Sequence, residues 1–355
     1  MYVKKAIEIA AQMTVAAILT TFPTHAQNTL SYAQRLGWKQ DDKVIIFHVD
    51  DVGMSKESNT GTIRALAGGV ATSASVMMPC PWTSDFADDL SRDPEQDIGL
   101  HLTLTSEWKG YRWGPLSGAA AVPGLVDRQG NFWNNVPDVV TFATPREVEQ
   151  ELNEQIKKAK MIGIKPTHLD THMGVLWSSP AYLDVFVRTA IKAHIPALVP
   201  AGHLDWVEKS LHNSPLAGLK KLAPADSPDS IVLDKLRKTG EKLWAAGLPV
   251  VDDLHLLSYD WLPDSDSVLA DTYLENFKTE KFRQLLQSLK PGITVILIHC
   301  SDTGEHFKDI SDSGNTRRAD LLAMQSQELK EFIKHHGFIT TSWKELERRR
   351  DSVKH

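Results

Sequence analysis

Seven side chains of this sequence combine residue type and placement in a way that suits hydrolysis at a metal ion. Asp50 and Asp51 close the apolar run Val44 to Val49. His101 lies in Gly99-Leu100-His101-Leu102-Thr103, His168, Asp170 and His172 alternate over five positions, and His299 closes a second apolar run, Ile293 to Ile298. Two adjacent carboxylates at one chain position can divide the work: one ligates a cation while the other takes a proton from water on it. Neutral imidazoles with one carboxylate leave coordination positions open, as catalysis requires. The cation acidifies the water and polarises the carbonyl under attack, and His299 stands ready to protonate a departing amine. Asp170 has two readings, as a ligand or as the carboxylate that orients a His ligand. An Asp-Asp pair alone is commonest as a solvated turn or helix cap, and a His in an apolar strand is commonest as a core residue. The joint placement of all seven at strand ends is what sets them apart.

Strand and helix patterns alternate along the chain and supply those ends. After a helical lead-in, Leu30 to Leu36, strands are expected at Val44 to Val49, Ala71 to Met78, Asp97 to Leu104, Pro166 to Asp170, Ile195 to Val199, Leu248 to Asp252, Ile293 to Ile298 and Gly337 to Thr341. Helices are expected at Glu57 to Ala67, Thr83 to Leu90, Arg146 to Ile162, Ala181 to Ala193, Ile231 to Ala246, Leu274 to Leu289 and Ala319 to His335. This alternation predicts an α/β fold with a parallel sheet. About eight strands predict a distorted TIM-barrel-like (β/α) barrel, with an open doubly wound sheet as the alternative. Either way the C-terminal strand ends converge on one face. Two stretches break the pattern. Residues 105–144 carry Trp108, Trp113 and Trp133 and suit a loop over that face, the indoles either stacking on a sugar or packing the loop down. Residues 201–230 read as a surface insertion.

Composition narrows the class. The formal net charge is -6 over 355 residues, which argues against a nucleic-acid partner. Lys4 and Lys5, an apolar stretch to Phe22, and Thr24-His25-Ala26 predict a signal peptide over residues 1–26, with Gln27 opening a mature domain 27–355. Export to the periplasm or outside the cell is therefore expected, with no stable membrane insertion after cleavage. Cys80 and Cys300 are the two cysteines. Eight strands in a closed barrel would hold them three strands apart, about 14 Å, so free thiols are expected.

The motifs resemble those of the YdjC-type carbohydrate deacetylases. Val44-Ile45-Ile46-Phe47-His48-Val49-Asp50-Asp51-Val52-Gly53 matches the opening strand of that family, followed by Asn59 and Gly61. Gly69-Val70-Ala71-Thr72-Ser73-Ala74-Ser75, Gly99-Leu100-His101-Leu102-Thr103-Leu104-Thr105 and Pro166-Thr167-His168-Leu169-Asp170-Thr171-His172 follow in order, and Pro291-Gly292-Ile293-Thr294 with His299 fits a fifth motif. The resemblance implies a barrel-like fold and a metal-dependent hydrolase that removes N-acetyl groups from an amino-sugar oligosaccharide. It implies one divalent ion, magnesium or zinc, on Asp51, His101 and His172, with Asp50 as the base. His48 stands where the family has Asn, Gly174 and Leu176 replace further His residues, and His299-Cys300-Ser301-Asp302 replaces His-Pro-Gly. These departures leave the ligands and alter their surroundings, with His48, His168, Asp170 and the three Trp residues placed to touch substrate or support the ligands. The competing readings are a non-catalytic glycan-binding protein on this scaffold and another metal hydrolase, an O-deacetylase or a phosphoesterase. A phosphoesterase would favour an Arg or Lys cluster, and none lies among the strand-end motifs.

Overall fold

Strand β1 (Lys43–Val52) is buried along its whole length after Lys43. Side chains alternate across a strand, so Phe47 packs outward, edge-on to Phe282 at 5.9 Å, while His48 and Asp50 turn inward. The computed structural model describes residues 30–213, 216–261, 269–302, 304 and 306–353. Residues Ser31–His355 form one unit. The signal-peptide stretch lies outside the described residues.

Beside β1 lie β2 (Ser73–Val76), β3 (Ile98–Leu102), β4 (Leu169–Thr171), β5 (Asp253–His255), β6 (Gly292–Ile298) and β7 (Ile339–Thr340). Six of them curl in the order β4-β3-β2-β1-β6-β5, and every pairing is parallel. β7 pairs the start of β1, Val44 with Ile339, below the point where β2 joins at His48 with Ser73.

The distorted barrel is present, but not with eight regular strands. The expected strand at Ile195 to Val199 is reduced to two isolated bridges, Leu169 with Ala197 and Pro200 with Val251. Leu198 N donates to Leu169 O at 2.8 Å and Ala201 N to Val251 O at 3.0 Å. Pro196 and Pro200 have no N–H to give, so a continuous ladder cannot form. This segment nonetheless spans the gap between β4 and β5. The strand expected at Leu248 to Asp252 forms later, at Asp253–His255, because Pro249 interrupts the earlier stretch. The single helix expected at Ala319 to His335 is two, Gly314–Gln325 and Gln327–His335, broken where Ser326 adopts ψ 125°.

Neither long loop is featureless. Residues 105–144 contain the helix Val136–Phe142 and bury Trp113, Val122, Leu125 and Phe132. Residues 201–230 contain the helix Asp205–Ser210 and bury Val207, Leu211, Leu216, Leu219 and Leu222, so they are core-forming and not a surface insertion. Cys80 and Cys300 are free and buried. Only β1 separates β2 from β6, a gap of about 10 Å and not 14 Å, because β7 sits beside β1 rather than between it and β6. That still exceeds the roughly 7 Å limit for a disulfide.

Candidate metal centre

At its end β1 turns sharply. Asp51 has φ 62° and Gly53 φ 88°. Asp tolerates the left-handed region better than most residues, and at Gly53 a Cβ would come within 2.8 Å of Thr83 Cγ2. The turn points the Asp51 carboxylate over the mouth of the barrel. There Asp51 Oδ1 lies 3.3 Å from His101 Nε2 and 3.2 Å from His172 Nδ1, and those two nitrogens are 3.2 Å apart. All three residues are buried.

This triangle fits a divalent cation. A cation about 2.1 Å from each donor needs donor separations of roughly 3.0–3.4 Å. His101 Nδ1 is held at 2.8 Å by Asp170 Oδ1, and His172 Nε2 at 3.0 Å by Glu107 Oε1. In the neutral rings these contacts place the proton on each outer nitrogen and leave the inner nitrogen free to bind a cation. Without one, burial would lower both imidazoles, yet the surrounding carboxylates raise them, His172 to about 9. Asp51 Oδ1 is buried and accepts no hydrogen bond among the described residues. The three atoms converge on one point at separations a cation would bridge.

Asp50 lies below the triangle. Its Oδ1 is 3.1 Å from His48 Nε2 and 3.5 Å from Ser75 Oγ. His48 also reaches Asp170 Oδ2 at 2.8 Å and Ser73 Oγ at 3.0 Å. Burial, assisted by the charge of Asp170, raises the Asp50 carboxyl, against the pull of His101 and His48. Burial also opposes ionisation of Asp51, but Arg317, His101 and His172 outweigh it and hold that carboxyl well below its usual range. Burial would lower His48, yet hydrogen bonds to Asp170 and Asp50 push it up to about 9. Of the adjacent carboxylates, one is tied to cations and one is left basic.

The period-two spacing of His168, Asp170 and His172 sets them at successive depths. His168 lies deepest, fully buried, stacked on Trp343 at 5.0 Å and edge-on to His48 at 4.8 Å. Gly99 makes room for it: a Cβ there would lie 2.4 Å from the imidazole. His168 therefore supports His48 and does not reach substrate. His172 opens a 3-10 turn, His172–Trp177, in which Gly174 takes φ 66°.

His299 Nε2 lies 3.9 Å from Asp51 Oδ2. Its backbone N–H donates to Asp320 Oδ2 at 2.9 Å, and Asp320 pairs with fully buried Lys278 at 3.1 Å. Burial, with Arg317 next, lowers His299 to about 3. It is thus neutral at rest and can pass on only a proton it first receives. The three Trp residues separate. Trp108 sets its ring 6.4 Å from that of His172. Trp113 is buried behind it at 5.3 Å, donating from Nε1 to Thr105 O. Trp133 stacks on Phe142 and donates to Gly124 O, which makes it a loop-packing residue.

Two contributors escape sequence reasoning. Glu107 lies in an aperiodic loop, signalled only by its neighbour Trp108. Arg317 donates from Nη2 to Asp51 Oδ2 at 2.7 Å across 266 residues, from a helix with no strand-end signature. One cation therefore reaches the site, from a helix and not from a strand-end motif. It is 2 % exposed and spent on Asp51, so it offers no clamp for a phosphate.

A curled parallel sheet carries at its C-terminal mouth a buried His and Asp cluster that could hold a metal ion. The model of a family described as "YdjC-like protein" matches residues 44–335, and the chain belongs to that family. A carbohydrate deacetylase of Thermoanaerobacter pseudethanolicus is 25% identical over 85% of this chain and 98% of its own length. One from Thermus thermophilus is 33% identical over 52% of this chain and 68% of its own. A chitooligosaccharide deacetylase of Klebsiella pneumoniae is 34% identical over 40% of this chain and 53% of its own. Among solved structures, an Enterococcus faecalis protein described as a candidate for cellobiose-phosphate cleavage superposes with a TM-score of 0.64 at 20% identity, over 86% of this chain and 99% of that one. That likeness concerns the fold alone.

Proposed function

We propose that this protein is a metal-dependent carbohydrate deacetylase that cleaves the acetamide of an N-acetylated amino sugar. The observation that carries the reading is the triangle of Asp51, His101 and His172 with the carboxylate of Asp50, outside the triangle and held by His48, beside it. A divalent ion held there supplies Lewis-acid polarisation of the acyl carbonyl and acidifies water. Two imidazoles and a carboxylate favour zinc over magnesium by donor type. Asp50 takes the proton of the attacking water as its oxygen bonds the acetyl carbon. The C–N bond then breaks as the departing nitrogen takes up the proton that Asp50 removed from water, relayed through neutral His299. Acetate and a free amino sugar are the products. A glycan-binding protein would have no use for a buried base beside the ligands.

Side-by-side assay of an N-acetylated chitooligosaccharide, an O-acetylated xylo-oligosaccharide and a phosphomonoester tests the reading. Acetate release from the first alone is expected. Preference for either of the others would replace it with the corresponding hydrolase. Trp108, beside His172, is placed to stack on a sugar face. Trp108→Ala should raise KM for the oligosaccharide several-fold more than for a small acetamide, whereas equal effects on both would reduce it to loop packing. Export is also part of the proposal, resting on the N-terminal pattern. Mass spectrometry of the protein from its native host should find Gln27 as the first residue, and an intact Met1 would contradict it.

A further inference from the structure

The two His residues of the triangle are mounted in opposite senses. His101 gives Nε2 inward and turns Nδ1 to Asp170. His172 gives Nδ1 inward and turns Nε2 to both oxygens of Glu107, at 3.0 and 3.1 Å. Asp170 comes from the sheet, but Glu107 comes from the long loop. That loop is rigidly seated where it matters. Ser106 Oγ accepts from Trp113 N at 3.0 Å and from Arg112 Nε at 3.2 Å. Ser106 N donates to Trp133 O at 2.8 Å, and Arg112 pairs with Asp127 at 3.0 Å.

We infer that Glu107 is a positioning residue for the metal centre: it fixes the ring of His172 with the Nδ1 lone pair toward Asp51 and His101, and so makes the loop 105–144 part of the metal site. The inference rests on the metal-centre reading above. An imidazole has two nitrogens, and the hydrogen bond at one decides which is free to bind a cation. Without Glu107, His172 can carry its proton on Nδ1 and turn a donor, not an acceptor, toward the triangle. Loss of such an outer carboxylate typically weakens metal affinity about 10- to 100-fold. The anchoring of Ser106 keeps Glu107 at hydrogen-bond distance without coordination by Glu107 itself.

The test is zinc affinity of the full chain, measured by competition with a chromogenic chelator, for the wild type and for H172A, E107A and E107Q. Circular dichroism and the melting temperature of the metal-free forms verify folding. E107A should bind zinc about 10- to 100-fold more weakly with an unchanged metal-free melting temperature. E107Q should recover most of that loss, because the amide oxygen still accepts the Nε2 proton. The cobalt-substituted E107A protein should show a visible absorption band altered from the wild type. Wild-type affinity in E107A overturns the inference. So does a loss in E107Q as large as in H172A, which would make Glu107 a ligand. If the wild type binds no zinc, or H172A binds it like the wild type, the metal-centre reading fails instead.

Discussion

Asp50→Asn should lower turnover by about 100-fold or more while leaving zinc affinity within a few-fold of wild type, the scale expected for losing a general base. The replacement keeps an oxygen at Oδ1, which can still meet His48 Nε2 at 3.1 Å, so the site keeps its shape and loses only basicity. Asp51→Asn should do the reverse. Its Oδ1 is one corner of the donor triangle, and its loss should show first as lost zinc. Steady-state kinetics beside metal analysis of both variants separates the roles. Full activity in Asp50→Asn would move the base elsewhere, with His48 next in line.

Arg317→Met should destabilise the metal-free protein by about 3–5 kcal/mol, the usual consequence of stripping one partner from a buried ion pair. Asp51 is 3 % exposed and Arg317 2 % exposed, so water cannot take over from the guanidinium. A divalent ion on the proposed triangle would, because it would share the same carboxylate. Zinc should therefore stabilise the variant more than it stabilises the wild type, through binding to the folded state alone. Urea unfolding with and without zinc checks this. An equal loss in both conditions would mean that Arg317 acts through packing and not through the charge of Asp51.

The same contacts show what the amino-acid order conveys and what it withholds. Asp50, Asp51, His101 and His172 were legible because each closes an apolar strand pattern, and a parallel sheet gathers such ends on one face. The depth of each residue was less legible. His168, Asp170 and His172 look equivalent at spacing two, yet successive members lie about 7 Å apart along a strand. Only the last reaches the triangle, and His168 ends against Trp343. Arg317 and Glu107 were hidden for different reasons. The first depends on a helix packing onto the mouth from 266 residues away, and the second on the path of an aperiodic loop. The strand at 195–199 failed because Pro196 within it and Pro200 just after it remove donors from the ladder.

Acetate and free amine released together from an N-acetylated chitooligosaccharide, by chelator-stripped protein before and after reloading with zinc, test the central claim most directly. Stripped protein should be inactive. One equivalent of zinc per chain should restore release of the two products in equal amounts, and the Asp51→Asn variant should not recover. Undiminished release by fully stripped protein, or zinc bound without any release, would contradict the account.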